Sequence, residues 1–217
     1  MLSNKRILIL GCHLDDIEYG CGGFISRRIR ENGSSDELYA CVLSRENRDA
    51  KGDVTITRDL VEAEKAFGIL GLNKKENICL GNIAGQKFQY YTQDIREELL
   101  RLRACWNPDV IFYPSVRDVH QDHHVLCEEA FRIFRNKTCI GYEIIRSTCY
   151  LQPNMFVRLE PEDVSRKAAT VACYVSQLTQ SAGYYFSEDV ITSIARTHGA
   201  RCGEKYAEAF EIYTMQI

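Results

Sequence analysis

Four of the chain's five histidines lie in two short acidic clusters, His13-Leu14-Asp15-Asp16-Ile17-Glu18 and His120-Gln121-Asp122-His123-His124. Neutral imidazole with carboxylate is the ligand set of zinc and similar divalent ions. A hydrolytic ion takes three protein ligands and keeps one position open for water, whose pKa it lowers from 15.7 to about 7. A carboxylate that does not ligate can serve as general base. A donor or cation must also face the oxyanion of the tetrahedral intermediate. The two clusters hold enough groups for all of these tasks, although spacing alone does not say which carboxylate ligates and which abstracts a proton. Either cluster by itself could be an acid-rich helix start. That reading accounts for one aspartate but not for His13 with two further acids, and the pair of clusters points to a metal-dependent hydrolase.

Such a site needs elements to carry it. Arg6–Cys12 reads as a buried strand, Phe24–Glu31 as a helix and Glu37–Leu43 as a second strand. Ile56–Leu70 has helical spacing and stops at Gly71. Asn77–Leu80 is a short strand, Asp94–Cys105 a helix, Asp109–Tyr113 a strand closed by Pro114, and Asp122–Arg135 a helix. Beyond them the pattern predicts a strand near Ile144–Leu151, helices near Glu162–Val175 and Ser187–His198, and a last strand near Ala209–Met215. This rhythm predicts an α/β fold, a Rossmann-like, mostly parallel sheet with helices on both faces, in a single domain over residues 1–217. Ligands of such sheets bind beyond the carboxyl ends of the strands. His13 follows the first strand directly and His120 follows the strand ending at Tyr113, so both clusters fall on one rim.

Competing chemistries fit poorly. Gly20-Cys21-Gly22-Gly23 lacks the G-x-G-x-x-G spacing, and Asp15, Asp16 and Glu18 would repel a pyrophosphate. The glycines are expected to let a helix pack closely beneath the site. Ser44 and Ser176 sit in no G-x-S-x-G elbow. A formal charge of −3 leaves no basic footprint for nucleic acid. The ten cysteines include no C-x-x-C pair, which predicts reduced thiols, mostly in the core, in a cytoplasmic protein. No apolar stretch reaches the length of a membrane span, and Ile7–Leu10 is too short for a signal-peptide core. The aromatic pairs Tyr90-Tyr91 and Tyr184-Tyr185 are read as packing rather than as a sugar platform.

His13-Leu14-Asp15-Asp16-Ile17-Glu18 with Gly22-Gly23 resembles the H-P-D-D-x-E…G-G motif of the PIG-L/LmbE-like metal-dependent N-deacetylases, and His120-Gln121-Asp122-His123 resembles their H-P-D-H. Ser44-Arg45-Glu46, Arg58…Glu62…Leu70-Gly71, Lys167…Ser176-Gln177 and Tyr206-Ala207-Glu208-Ala209-Phe210 extend the likeness over nearly the whole chain. The resemblance implies an LmbE-like fold and removal of an N-acetyl group from a GlcNAc-type amino sugar or its conjugate. It implies His13, Asp16 and His123 as ligands of Zn²⁺, with Fe²⁺ or another divalent ion as alternatives. Asp15 would be the general base, His120 the oxyanion partner and Asp122 the group orienting His120. Arg58 and Glu46 are the expected substrate contacts. Three departures stand out. Leu14 and Gln121 replace prolines, Arg45 replaces a glycine and could greet an anionic substrate group, and His124 is an extra histidine, expected to be exposed. His198 is expected at the surface or at a helix end. The partner is a small molecule, with a homo-oligomer open. The alternatives are an amidase for a non-sugar amide, such as a thiol conjugate, and a sugar- or metal-binding module without catalysis.

Overall fold

The computed structural model describes residues 2, 4–48, 51, 53–57, 60–179 and 183–216. Its organising feature is how alternate residues of the central strands part. In β1 (Ile7–His13), Ile7 and Ile9 enter one apolar cluster while Leu8, Leu10 and Cys12 enter another. The same split recurs in β2 (Leu38–Ser44), β6 (Val110–Pro114) and β7 (Thr138–Tyr142). Period-two side chains buried on both faces require cover on both. The first cluster is roofed by α1 (Asp16–Asn32), α2 (Leu60–Leu70), α5 (Pro161–Val171) and α7 (Glu188–Cys202). The second is covered by α3 (Thr92–Trp106) and α4 (Gln121–Phe134). Each fully buried leucine or isoleucine in these layers contributes about 1.5–3 kcal/mol.

With β5 (Ile78–Leu80), β8 (Met155–Arg158) and β9 (Ala207–Thr214), the sheet has seven strands in the order β5-β2-β1-β6-β7-β9-β8. The first five are mutually parallel, and β9 runs antiparallel to both β7 and β8. A separate hairpin pairs β3 (Glu46–Arg48) with β4 (Val54–Thr57), and a one-turn α6 spans Val175–Leu178. From β1 the chain winds outward through β2 to the edge strand β5, then returns to the other side of β1 at β6. The carboxyl ends of β1 and β6 therefore flank a topological switch point, where ligands of open α/β sheets bind. Among the described residues, no helix is long and apolar enough to cross a membrane.

The expected mostly parallel α/β sheet with helices on both faces is present, with several corrections to its elements. The first helix starts at Asp16 rather than Phe24, and Gly20 and Gly23 lie inside it, where they permit the close packing expected of them. A Cβ on Gly20 would collide with the Tyr142 ring, and one on Gly23 would come 2.6 Å from Leu159 Cδ1. The strand expected near Ile144–Leu151 is absent, and β7 and β8 lie on either side of that segment. The segment instead folds around Asp118, whose Oδ2 accepts from Ser147 Oγ at 2.8 Å and Thr148 Oγ1 at 3.1 Å. The helix expected over Ile56–Leu70 is divided, since Val54–Thr57 pairs as a strand before α2 begins at Leu60.

Polar pairs, part-buried or buried, join segments far apart in sequence. Ser176 donates through both its backbone N–H and Oγ to the Glu62 carboxylate. Lys167 Nζ donates to Glu208 at 2.7 Å, and that carboxylate also accepts the backbone N–H groups of Gly23 and Phe24. The first tie joins α6 to α2, and the second clamps α5 and β9 onto α1, the helix that begins at the first histidine cluster.

Candidate active site

β1 ends at His13 and α1 starts at Asp16, so two residues make the whole strand-to-helix turn. Asp16 closes it, its Oδ2 accepting the backbone N–H of Cys12 at 2.8 Å and of His13 at 2.9 Å. Asp15, the N-cap residue, has φ 124° and ψ −29°, and its side chain does not cap the helix. A non-glycine residue in that region costs about 1–3 kcal/mol, a strain that clusters at functional sites. The second cluster opens α4, where His120 is the N-cap and accepts Asp122 N–H on Nδ1 at 3.2 Å.

The switch point brings the clusters together. The His120 and His123 rings stack at 4.5 Å between centroids, and His13 stands 4.9 Å from His120 and 5.6 Å from His123. His13, Asp15, Asp16, Asp122 and His123 are all buried. Behind each expected ligand histidine stands an acid. Asp122 Oδ2 is 2.9 Å from His13 Nε2, and Asp118 Oδ2 is 2.9 Å from His123 Nδ1. An imidazole with one nitrogen against a carboxylate presents its other nitrogen as the lone pair. Those other nitrogens, His13 Nδ1 and His123 Nε2, both face Asp16 Oδ2, at 3.6 Å and 3.3 Å. Three donors converging on one point, with acids behind two of them, suit a divalent ion.

The electrostatics agree. Burial works against a charge on His123, yet Asp16 and Asp118 outweigh it and lift its pKa to about 10. Asp16 is opposed by burial and held far below the usual carboxylate range by His123 and His13. Such a field favours a positive charge at its centre, carried by the His123 imidazolium or by a cation that replaces its proton. His123 is buried, and both its nitrogens face carboxylates, Nδ1 toward Asp118 and Nε2 toward Asp16. Cys12 also brings its sulfur within 4.8 Å of Asp16 and His123, but burial raises its thiol pKa and its side chain belongs to the core. Burial, then His123 and His13, push His120 down to about 4, so it is neutral at pH 7. With Nδ1 accepting from the backbone, its proton sits on Nε2, as a donor.

Several expectations find a definite place. The Asp122 carboxylate backs His13, not His120, to which it is joined only through its backbone N–H. It also accepts the N–H of Gln86 at 2.5 Å and of Phe88 at 3.3 Å, anchoring the loop after β5. Asp118 was not singled out from sequence, although an acid two residues before His120 extends that cluster; it also accepts His120 N–H at 2.8 Å. Glu18 is fully buried, takes the Tyr174 hydroxyl at 2.5 Å and is pushed by burial to about 8, so it is protonated at neutral pH. His124 is exposed, beside Glu128. His198 lies near the end of α7, as one of its two expected placements has it, but is buried rather than at the surface, with Nε2 2.8 Å from Glu143. Glu46 opens β3, next to the rim, and its carbonyl accepts from Gly85 N–H and Ser44 Oγ. Arg58 lies outside the described residues.

Comparison with known proteins gives a consistent answer. Residues 8–134, more than half of the chain, match the family described as PIG-L: GlcNAc-PI de-N-acetylase. The chain is 24% identical over 177 residues to the uncharacterized deacetylase YaiS of Escherichia coli K12, covering 78% of this chain and 91% of that one. In structure it is similar to N,N'-diacetylchitobiose deacetylase from Pyrococcus horikoshii, with TM-score 0.75, 18% identity, and 97% of this chain and 85% of that one covered. It is also similar to GalB, the 4-carboxy-2-hydroxymuconate hydratase of Pseudomonas putida KT2440, with TM-score 0.72, 16% identity and 98% of each chain covered. At those identities the structural likeness speaks for the fold.

Proposed function

Because the chain belongs to the PIG-L family of GlcNAc-PI de-N-acetylases, we propose that it hydrolyses the N-acetyl amide of a GlcNAc-type amino sugar or its conjugate, releasing acetate and a free amine. It is a deacetylase-type hydrolase of a linear amide C–N bond. The observation that carries the finer reading is the convergence of His13 Nδ1 and His123 Nε2 on Asp16 Oδ2. These three residues would hold a divalent ion, with zinc the first choice for two imidazoles and a carboxylate. When bound, the ion supplies Lewis acidity, polarising the amide carbonyl and lowering the pKa of water.

The protein's own groups divide the rest. Asp15 is presented by the strained turn beside Asp16, where it takes the proton of the attacking water and returns it to the departing nitrogen. His120, neutral and protonated on Nε2, donates to the oxygen on which negative charge develops. Asp122 and Asp118 hold His13 and His123 by their rear nitrogens, fixing ring orientation. At the rim, Arg45 follows Ser44, which is in register with His13. Its buried Nε has no hydrogen-bond partner among the described residues, leaving it available to an anionic substituent such as a phosphate. A conjugate carrying phosphate suits that cation better than the free sugar does, with Glu46 and Arg58 as further substrate contacts.

The likeness to a hydratase means the fold hosts more than one reaction of water. Product analysis separates the readings. Metal-reconstituted protein is screened for acetate and amine release over N-acetylhexosamines, free, phosphorylated and nucleotide-linked. Acetate release that is lost in Asp15→Ala while the metal is retained supports the proposal. Turnover of non-sugar amides alone, or of alkenes, replaces it.

A further inference from the structure

A second chemical cluster lies away from this rim, at the sheet edge. Cys41 in β2 and Cys79 in the edge strand β5 are register partners in adjacent parallel strands. Their sulfurs and Glu98 Oε1 all lie within 4.8 Å of one another. Cys41 is fully buried, whereas Cys79 is half-buried at the edge, so a small molecule reaches the pair through Cys79. The roof is α3, which contributes Glu98 and Arg101. Arg101 Nη2 is 3.4 Å from Cys79 Sγ, and Cys79 Sγ is 3.1 Å from Glu98 Oε1. Arg101 also grips Glu98 at 2.5 Å and 2.8 Å, which fixes the guanidinium over the sulfur.

A cation held against one thiol of a close pair is the setting of a reactive cysteine with a neighbour able to resolve it. We propose that Cys79 is a modifiable thiol attacked by peroxides, and that Cys41 resolves it to a disulfide across β2 and β5. In the first step the Cys79 thiolate attacks a peroxide oxygen; the O–O bond breaks and an S–O bond forms, giving the sulfenic acid and hydroxide. In the second, the Cys41 sulfur attacks Cys79 and the S–O bond breaks. Its proton leaves with the hydroxyl group as water. Overall two thiols lose two electrons and two protons, and hydrogen peroxide becomes two waters. Neighbouring strands stand about 4.7–4.9 Å apart, within the Cα separation of about 4.4–6.8 Å that disulfides span.

A hydrogen bond from Cys41 draws Cys79 below the usual thiol range against burial and the Glu98 carboxylate, with a smaller pull from Arg101. The hydrogen bond to Cys79 and burial raise Cys41, which gives up its proton to the departing hydroxyl as it attacks. Two thiols and a carboxylate would also attract a soft metal ion, but Arg101 already places a positive charge among them.

The test uses the intact wild-type chain and reads the thiols directly, so its outcome is independent of the deacetylase reading. Limiting iodoacetamide near pH 6.5, followed by peptide mass mapping, should label Cys79 faster than the exposed Cys105, Cys149 and Cys202, by about threefold or more. One equivalent of hydrogen peroxide should then yield a peptide pair linked through Cys41 and Cys79. Arg101→Ala should bring Cys79 labelling down to the rate of the exposed thiols, and in Cys41→Ser a dimedone adduct should accumulate on Cys79. Labelling of Cys79 no faster than the three exposed cysteines overturns the proposal. So does peroxide treatment without the Cys41–Cys79 link. A sulfur-to-cobalt charge-transfer band on Co²⁺ addition that Cys79→Ser abolishes would reassign the pair to a soft metal and overturn it as well.

Discussion

Replacing Asp15 with glycine should leave the enzyme without turnover and, at the same time, more stable than its alanine counterpart. Both substitutions remove the carboxylate, so their difference isolates the backbone. At φ 124° and ψ −29°, a residue with a Cβ bears about 1–3 kcal/mol of strain, and glycine bears none. Glycine's greater freedom in the unfolded chain takes back about 0.5–1 kcal/mol. Asp15→Gly should therefore exceed Asp15→Ala by about 1 kcal/mol, or roughly 2–4 °C in Tm for a chain of this size. The measurement is thermal and urea unfolding of both variants after chelation, because metal bound to the folded state would add its own stabilisation. In parallel, general-base loss should lower kcat by about 10²–10⁴ in both. An alanine variant as stable as the glycine variant, or more so, would refute the strained turn and with it the argument that the turn exists to present Asp15.

Three further outcomes are expected. Asp118→Asn replaces the acid behind His123 and should weaken metal affinity about 10–100-fold, read by competition with a chromophoric chelator, while the fold persists by circular dichroism. Gly20→Ala drives a methyl into Tyr142, whose hydroxyl is tied to the Leu10 carbonyl at 2.7 Å, and should cost about 1–3 kcal/mol in denaturant unfolding. Asp163 has no exposed side-chain surface. Burial raises its pKa, but Arg30, the Glu160 N–H and Ser26 prevail and hold it below the usual range. A depressed acid stabilises fully above its unfolded pKa and loses that contribution as the pH falls through the folded value. Asp163→Asn should thus cost about 2 kcal/mol near neutrality, and the gap from wild type should close as urea titrations move below about pH 4.

The clusters themselves were readable in sequence because strand-to-loop punctuation placed both at carboxyl ends, and the chain's return from β5 to β6 does the rest. What the sequence could not convey is which acid stands behind which imidazole. Asp122 is adjacent to His123 and two residues from His120, yet its carboxylate reaches His13, 109 positions away. Helical direction decides that, since a side chain in the first turn of α4 points along its own radius and not toward its neighbours in sequence. Asp118 escaped notice because its partners, Ser147 and Thr148, lie in a segment whose apolar residues imitate a strand. The glycines of α1 are poor helix formers, and the close contact of Gly20 with Tyr142 of β7 outweighs that propensity, so the helix begins earlier than its apolar spacing indicates. His198 sits near the end of α7 but is buried, because Glu143, in the loop after β7, meets its Nε2.

The turn closed by Asp16 carries a consequence for reading any relative of this chain. One oxygen of that carboxylate holds the amides of Cys12 and His13 and also stands at the meeting point of the two histidines. A descendant that gave up hydrolysis would still need an acceptor there to join strand to helix. The persistence of this aspartate is thus a record of architecture, and the survival of its histidine companions is the record of chemistry.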